Sequence, residues 1–132
     1  MKDRVFGVGE RSPRHDAAAK VTGREKYALD HYEDNLLWAG VKRARIAHGR
    51  IRGIDSAEAR GLPGVHAVLT ARDIRGSNRQ GIVHKDQPVL AEDKVRHWAE
   101  PVAMVLTEDR ETLRAALDLI RVEFEPDRKS VV

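Results

Sequence analysis

The residues able to do chemistry are scattered rather than grouped. The six histidines are His15, His31, His48, His66, His84 and His97. No two of them stand three or four residues apart, the spacing that sets two imidazoles on one helix face for a metal. With no cysteine in the chain, a thiolate zinc site, iron–sulfur ligation, a disulfide and a cysteine nucleophile are all excluded within it. The acidic groups Asp30, Glu33, Asp34, Glu92 and Asp93 stand in polar, loop-like context. An acid–base pair needs a dry cleft that drives two pKa values apart, so these read as surface charge. Asp55 and Asp73 each close a strand or open a turn, where a carboxylate bonds the nearby backbone.

Glycine and basic residues offer two further chemistries. Gly7 and Gly9 hint at a dinucleotide loop, but Ser12 stands where the third glycine is required and no strand of length precedes the pair. The segment Arg75–Gly81 is glycine-rich and suits close approach to another surface. It lacks the following helix with Lys-Ser/Thr that phosphate cradling requires. Lys42, Arg43, Arg45, Arg50 and Arg52 place five cations within eleven residues. They read either as a patch for an acidic partner or as a solvated hairpin face. Nucleic acid is not the reading, because no stacking aromatics interleave them. No residue is assigned to catalysis, to cofactor binding or to a metal.

The elements that would position these residues follow from the pattern. The chain has 132 residues, the size of one domain, with 34% charged and 41% hydrophobic residues. Twenty-four basic residues against twenty-one acidic give +3, too even for a nucleic-acid module. No signal-peptide core and no apolar run of roughly 18 residues is present, so the expectation is a cytoplasmic protein with no membrane contact. Residues 1–22 read as an extended arm, wet through Lys2, Arg4, Arg11 and Arg14 and broken by Gly7, Gly9 and Pro13. Strands are expected at Leu36–Arg43, Arg50–Asp55, Val65–Thr70, Pro101–Thr107 and Val122–Glu125, with Val89–Leu90 pairing Lys94–Trp98. Ser56 would cap a two-turn helix stopped by Gly61. A turn at Ala71-Arg72-Asp73 precedes a long loop to residue 88. The run at 102–106 suits burial on both faces. Glu108–Arg121 is the clearest helix, with Leu113, Ala116, Leu117 and Ile120 on one face.

Order and residues together resemble a known family. The segments Val8-Gly9, Pro13–Ala17 and Lys20–Gly23 look like the opening of molybdenum hydroxylase large subunits, and Tyr27, Ala28 and Asp30 continue it. His48, Ile54-Asp55, Glu58-Ala59, Leu62–Val65 and Val68–Ile74 follow in order. Gly76–Asn78, Gly81, Asp86, Pro88–Ala91, Asp93–Arg96, Glu100–Ala103 and Val122–Glu125 complete a match from about residue 8 to 125. Each block is weak alone; their order and spacing carry the assignment to the xanthine dehydrogenase/aldehyde oxidase family, in its N-terminal a/b hammerhead domain. Two departures stand out: Ala44-Arg45 where the family usually has Ser-Pro, and Ala99 where it usually has Gly.

The resemblance implies an α+β fold, the α/β-hammerhead: a mixed sheet with a bent hairpin and two main helices. It implies an arm at 1–22, the hammerhead at 23–126 and a tail at 127–132. The parent enzyme hydroxylates a purine-like heterocycle or an aldehyde with oxygen from water. It uses a molybdopterin-bound molybdenum, iron–sulfur clusters and often FAD, none of them held by this chain. The implied role here is structural, against the remaining molybdenum-binding domains and the iron–sulfur domain or subunit, with self-association of the chain as a substitute. The loop at 75–81 would dock on a neighbouring domain, and His48 would pin the turn before the second strand. The alternatives are a stand-alone adaptor using the basic hairpin and a small binding protein for an acidic ligand. The expected core is Trp38, Val41, Ile54, Val65, Val68, Leu69, Val102, Met104, Leu106, Leu113, Ala116, Leu117 and Ile120.

Overall fold

A computed structural model describes residues 7–9, 11 and 14–127. Part of the expected arm, including Lys2, Arg4 and Pro13, and the tail beyond Asp127 lie outside the described residues. The chain divides into two compact units, Met1–Asp34 and Asn35–Val132. In the first, helix α1 (Ala17–Val21) replaces the last part of the expected extended arm. Three consecutive alanines, the best helix formers, drive it, and Lys20 pairs with Asp16 one turn back at 2.6 Å. A single 3-10 turn follows at Ala28–Asp30, where Asp30 accepts the Tyr27 N–H at 2.9 Å.

The second unit holds β1 (Trp38–Arg43), β2 (Gly49–Asp55), α2 (Ala57–Arg60), β3 (Val65–Leu69), β4 (Arg79–Gln80), β5 (Gln87–Pro88), β6 (Lys94–Val95), β7 (Pro101–Thr107), α3 (Arg110–Leu119) and β8 (Arg121–Pro126). Two three-stranded sheets, ordered β1-β7-β3 and β6-β2-β8, stand beside the β4-β5 hairpin. The α+β class holds, but every pairing among the described residues is antiparallel, not mixed as expected. β7 runs between β1 and β3 and opposes both.

Helices α2 and α3 pack against each other and against the first sheet. Beneath them lies one core: Ala59, Val68, Ala103, Val105, Ala116 and Ile120. A second core gathers Ala44, Ala91, Val95 and Val102. Val122 packs on both, so β8 ties the two sheets together. Side chains alternate along a strand, which explains how β7 serves both cores, Ala103 and Val105 facing the helices and Val102 the other side.

Several local expectations change. Trp38 is not core: it is partly exposed and stacks under the Arg110 guanidinium at 4.5 Å. Its strand begins at the molecule's edge, where α3 offers a cation rather than apolar cover. α3 starts at Arg110 because Asp109 is the cap; its carboxylate accepts the Thr112 N–H at 2.8 Å and the Thr112 hydroxyl at 2.6 Å. Ser56 caps nothing with its side chain. Asp55 does that work, accepting the Ala57 N–H at 3.0 Å. The pairing of Val89–Leu90 with Lys94–Trp98 does not form. β6 joins β2 instead, and Gln87–Pro88 pairs with Arg79–Gln80 inside the expected loop. The reason is Asn78, whose amide occupies the backbone of Val89 and Leu90.

Candidate functional site

The first sheet has two faces and only one helical cover. Cross-strand partners share a face. Val41 and Leu69 both lie opposite Met104, while Ala39 and Ala67 flank Leu106. These six residues form an apolar surface on the side away from α2 and α3. Val41, Leu69, Met104 and Leu106 pack into neither core and each stays half-buried. The sequence places all four in the core; the alternation of β7 sends them to the uncovered side.

The β4-β5 hairpin presents a second apolar feature. Asn78 clamps its base: the side-chain oxygen accepts from Val89 N–H at 3.1 Å and Leu90 N–H at 3.0 Å, and the amide donates to Leu90 C=O at 2.8 Å. Ala91 N–H then reaches Pro101 C=O at 2.7 Å, anchoring the hairpin to β7. Gly81 turns the tip at φ +151°, and a Cβ there would collide with the His84 carbonyl. The tip carries Ile82 and Val83, exposed at 104% and 84%. Two adjacent aliphatics held in water by a tied hairpin are a contact waiting for a surface.

The remaining candidates resolve into structure. His48 and Asp127 join the start of β2 to the end of β8. Asp127 N–H donates to His48 C=O at 3.4 Å, and the carboxylate lies 3.3 Å from His48 Nδ1, within ion-pair reach though misaligned for a hydrogen bond. His66 contacts Glu108 at 3.1 Å, both exposed. Asp73 accepts the Thr70 N–H at 2.7 Å and its hydroxyl at 2.9 Å. Those bonds, the backbone one first, hold its carboxyl below the usual value. Glu33, Asp34, Glu92 and Asp93 are exposed. A cavity of about 310 Å³ lined by Ile51, Ile54, Thr70, Arg52 and Glu92 contains a single carboxylate, no acid–base pair. Of the basic run, Arg52 pairs with Glu125. Lys42 donates to Leu117 C=O at 2.7 Å and Arg43 to Ala99 C=O at 2.6 Å.

One residue went without a role in the sequence. Glu100 is 3% exposed. Its carboxylate accepts the Arg96 N–H, and its own C=O accepts the Ala44 N–H at 3.0 Å. It fastens the turn before β7 to the end of β1. A glutamate ahead of a proline that opens an apolar run was the available signal.

Among the described residues no three of His, Asp or Glu converge on a point, and the sequence offers no thiolate. No helix among them is long and apolar enough to cross a membrane.

Comparison with known proteins matches residues 22–128 to the model of the "aldehyde oxidase and xanthine dehydrogenase, a/b hammerhead domain". The chain is 39% identical to the nicotinate dehydrogenase large molybdopterin subunit of Eubacterium barkeri, over 89% of this chain and 28% of that one. It is 42% identical to a probable xanthine dehydrogenase subunit of Bacillus subtilis, over 84% and 15%. Aldehyde oxidoreductase from Desulfovibrio gigas superposes with a TM-score of 0.78 at 34% identity, covering 86% of this chain and 14% of that one. The chain thus spans about a seventh to a quarter of these relatives. The alignment over residues 22–128 and the shared fold make this chain a member of the aldehyde oxidase and xanthine dehydrogenase a/b hammerhead domain family.

Proposed function

We propose that this chain is the structural hammerhead domain of the molybdenum-binding large subunit of a xanthine dehydrogenase/aldehyde oxidase-type oxidoreductase. It contributes no catalytic, cofactor-binding or metal-binding residue. The intact enzyme hydroxylates a purine-like heterocycle or an aldehyde in the cytoplasm. Molybdopterin-bound molybdenum, iron–sulfur clusters and FAD belong to its other parts. The hammerhead spans residues 23–126 after an arm at 1–22 and before a tail at 127–132.

The observation that carries this reading is β7. Its sequence is apolar on both faces, yet on the side away from the helices the second core closes over Val102 and leaves Met104 and Leu106 half-buried. Val41, Leu69, Met104 and Leu106 need a cover, and the molybdenum-binding remainder of the large subunit supplies it. The Ile82-Val83 tip docks on the same neighbour or on the iron–sulfur part. A second copy of the chain substitutes where the neighbour is missing.

A graft tests it. Residues 22–128 replace the corresponding domain in the large subunit of a solved relative, the aldehyde oxidoreductase. The expected result is retained molybdenum content and activity within a few-fold of the parent. A graft carrying Leu69→Asp and Met104→Asp should lose assembly, because a buried unpaired charge costs several kcal/mol. The same pair in the chain alone should be tolerated far better, since there the face is half open to water. An assembled, active double variant would contradict the proposed contact.

A further inference from the structure

A groove of about 320 Å³ runs between the end of β1 and α3 from Arg114 onward, bordered by Val41 and Leu117 and carrying Lys42, Arg43, Arg45, Arg114 and Asp118. Four cations face one carboxylate, a net +3 that equals the formal charge of the whole chain. None of the four is in an ion pair among the described residues, whereas Arg52, Arg96 and Arg121 elsewhere on the surface each have an acidic partner. Lys42 and Arg43 are held in place by single bonds to Leu117 C=O and Ala99 C=O, which leave their charges without a carboxylate partner. Arg45 sits on the left-handed turn after β1, at φ +56°.

We propose that this groove binds a segment of a protein partner rich in Asp and Glu. Unpaired like charges gathered in one concavity repel one another, and an acidic strand relieves that repulsion while accepting several guanidinium donors at once. Arginines fit carboxylates in particular, because the planar fork donates to both oxygens. Lys42 is paired with Ala103 and so shares the helix-side face of the sheet. The groove therefore opens on the helix side of β1, with Val41 at the border it shares with the apolar surface of Leu69, Met104 and Leu106. The Arg45 cation stands where the resemblance leads one to expect proline. The inference does not depend on the proposed function.

The test uses the 132-residue chain with a fluorescein-labelled hexaglutamate peptide at low salt, with hexaglutamine as control. Binding to hexaglutamate alone is expected, with amide shifts at residues 42–45 and 114–118. Arg45→Gln with Arg114→Gln should weaken it about tenfold, a loss of roughly 1.4 kcal/mol, and Arg114→Glu should abolish it. Arg52→Gln with Arg121→Gln removes the same charge outside the groove and should change affinity less than twofold. All four positions are exposed, and unchanged amide spectra elsewhere confirm folding. The proposal is overturned by an equal loss in the control pair, by absence of hexaglutamate binding, by complete displacement with stoichiometric inorganic phosphate, or by tighter binding of hexathymidylate through the same residues.

Discussion

Arg45 stands where the family resemblance leads one to expect proline, and the backbone there has a form proline cannot take. It holds φ +56° and donates its N–H to Trp98 C=O at 2.9 Å. Proline, locked near φ −65° and without an N–H, can do neither. Arg45→Pro should cost at least about 2 kcal/mol by urea denaturation, from the lost bond and the forced turn. Arg45→Gly should stabilise by about 1 kcal/mol, because glycine takes the left-handed conformation without the Cβ penalty. Asp109 gives a pH signature. Its bonds to Thr112, the hydroxyl first and then the N–H, hold its carboxyl below the ordinary 3.8. A depressed folded value stabilises above the unfolded pKa and is lost as pH falls through the folded one. The thermal midpoint of Asp109→Ala should lie below wild type by a constant margin above about pH 5, and the margin should shrink below about pH 4. That Asp55 and Asp73 bond the nearby backbone was legible, because an aspartate at a strand end has it within reach. That Ser56 leaves the Ala57 N–H to Asp55 and accepts from Arg60 Nε at 3.1 Å instead was not legible, since nothing local says which of two adjacent oxygens wins the N–H.

At the scale of elements, the strand at 101–107 and the helix around 110–119 could be read from a run and a period. The assignment of faces could not. Period two divides Val102, Met104 and Leu106 from Ala103 and Val105 but does not say which set meets α3. So Met104 and Leu106 entered the expected core and lie on the uncovered side. Leu117 shows the same difference in degree. A fully buried leucine would put Leu117→Ala at about 2–5 kcal/mol. The side chain is only half-buried beside the groove, so we expect about 1–2 kcal/mol by thermal or urea unfolding. Ile120, 2% exposed at the centre of the helix-side core, should lose the full 2–5 kcal/mol, roughly, as alanine. Gly49 marks where two strands come too close for a side chain. A Cβ there would meet the Glu125 carbonyl at 2.8 Å. Gly49→Ala must part β2 from β8, and weakened protection of the amides they share should report it.

Over the whole molecule, the order of short blocks was enough to place the family, because spacing over a hundred residues carries information that no single block does. The hairpin at 79–88 was hidden because its strands are two residues long and its clamp is one asparagine side chain. On the proposed function the chain is a packing unit, its second sheet face and hairpin tip completed by the rest of a large subunit. Amide hydrogen exchange tests this most directly, on the chain alone and then with a relative's large subunit lacking its own hammerhead. Residues 81–86 should exchange freely in the chain alone while Val102–Leu106 stay protected, and 81–86 should slow markedly on mixing. Amides at 81–86 already as protected as those of Val102–Leu106, or unchanged on mixing, would contradict it.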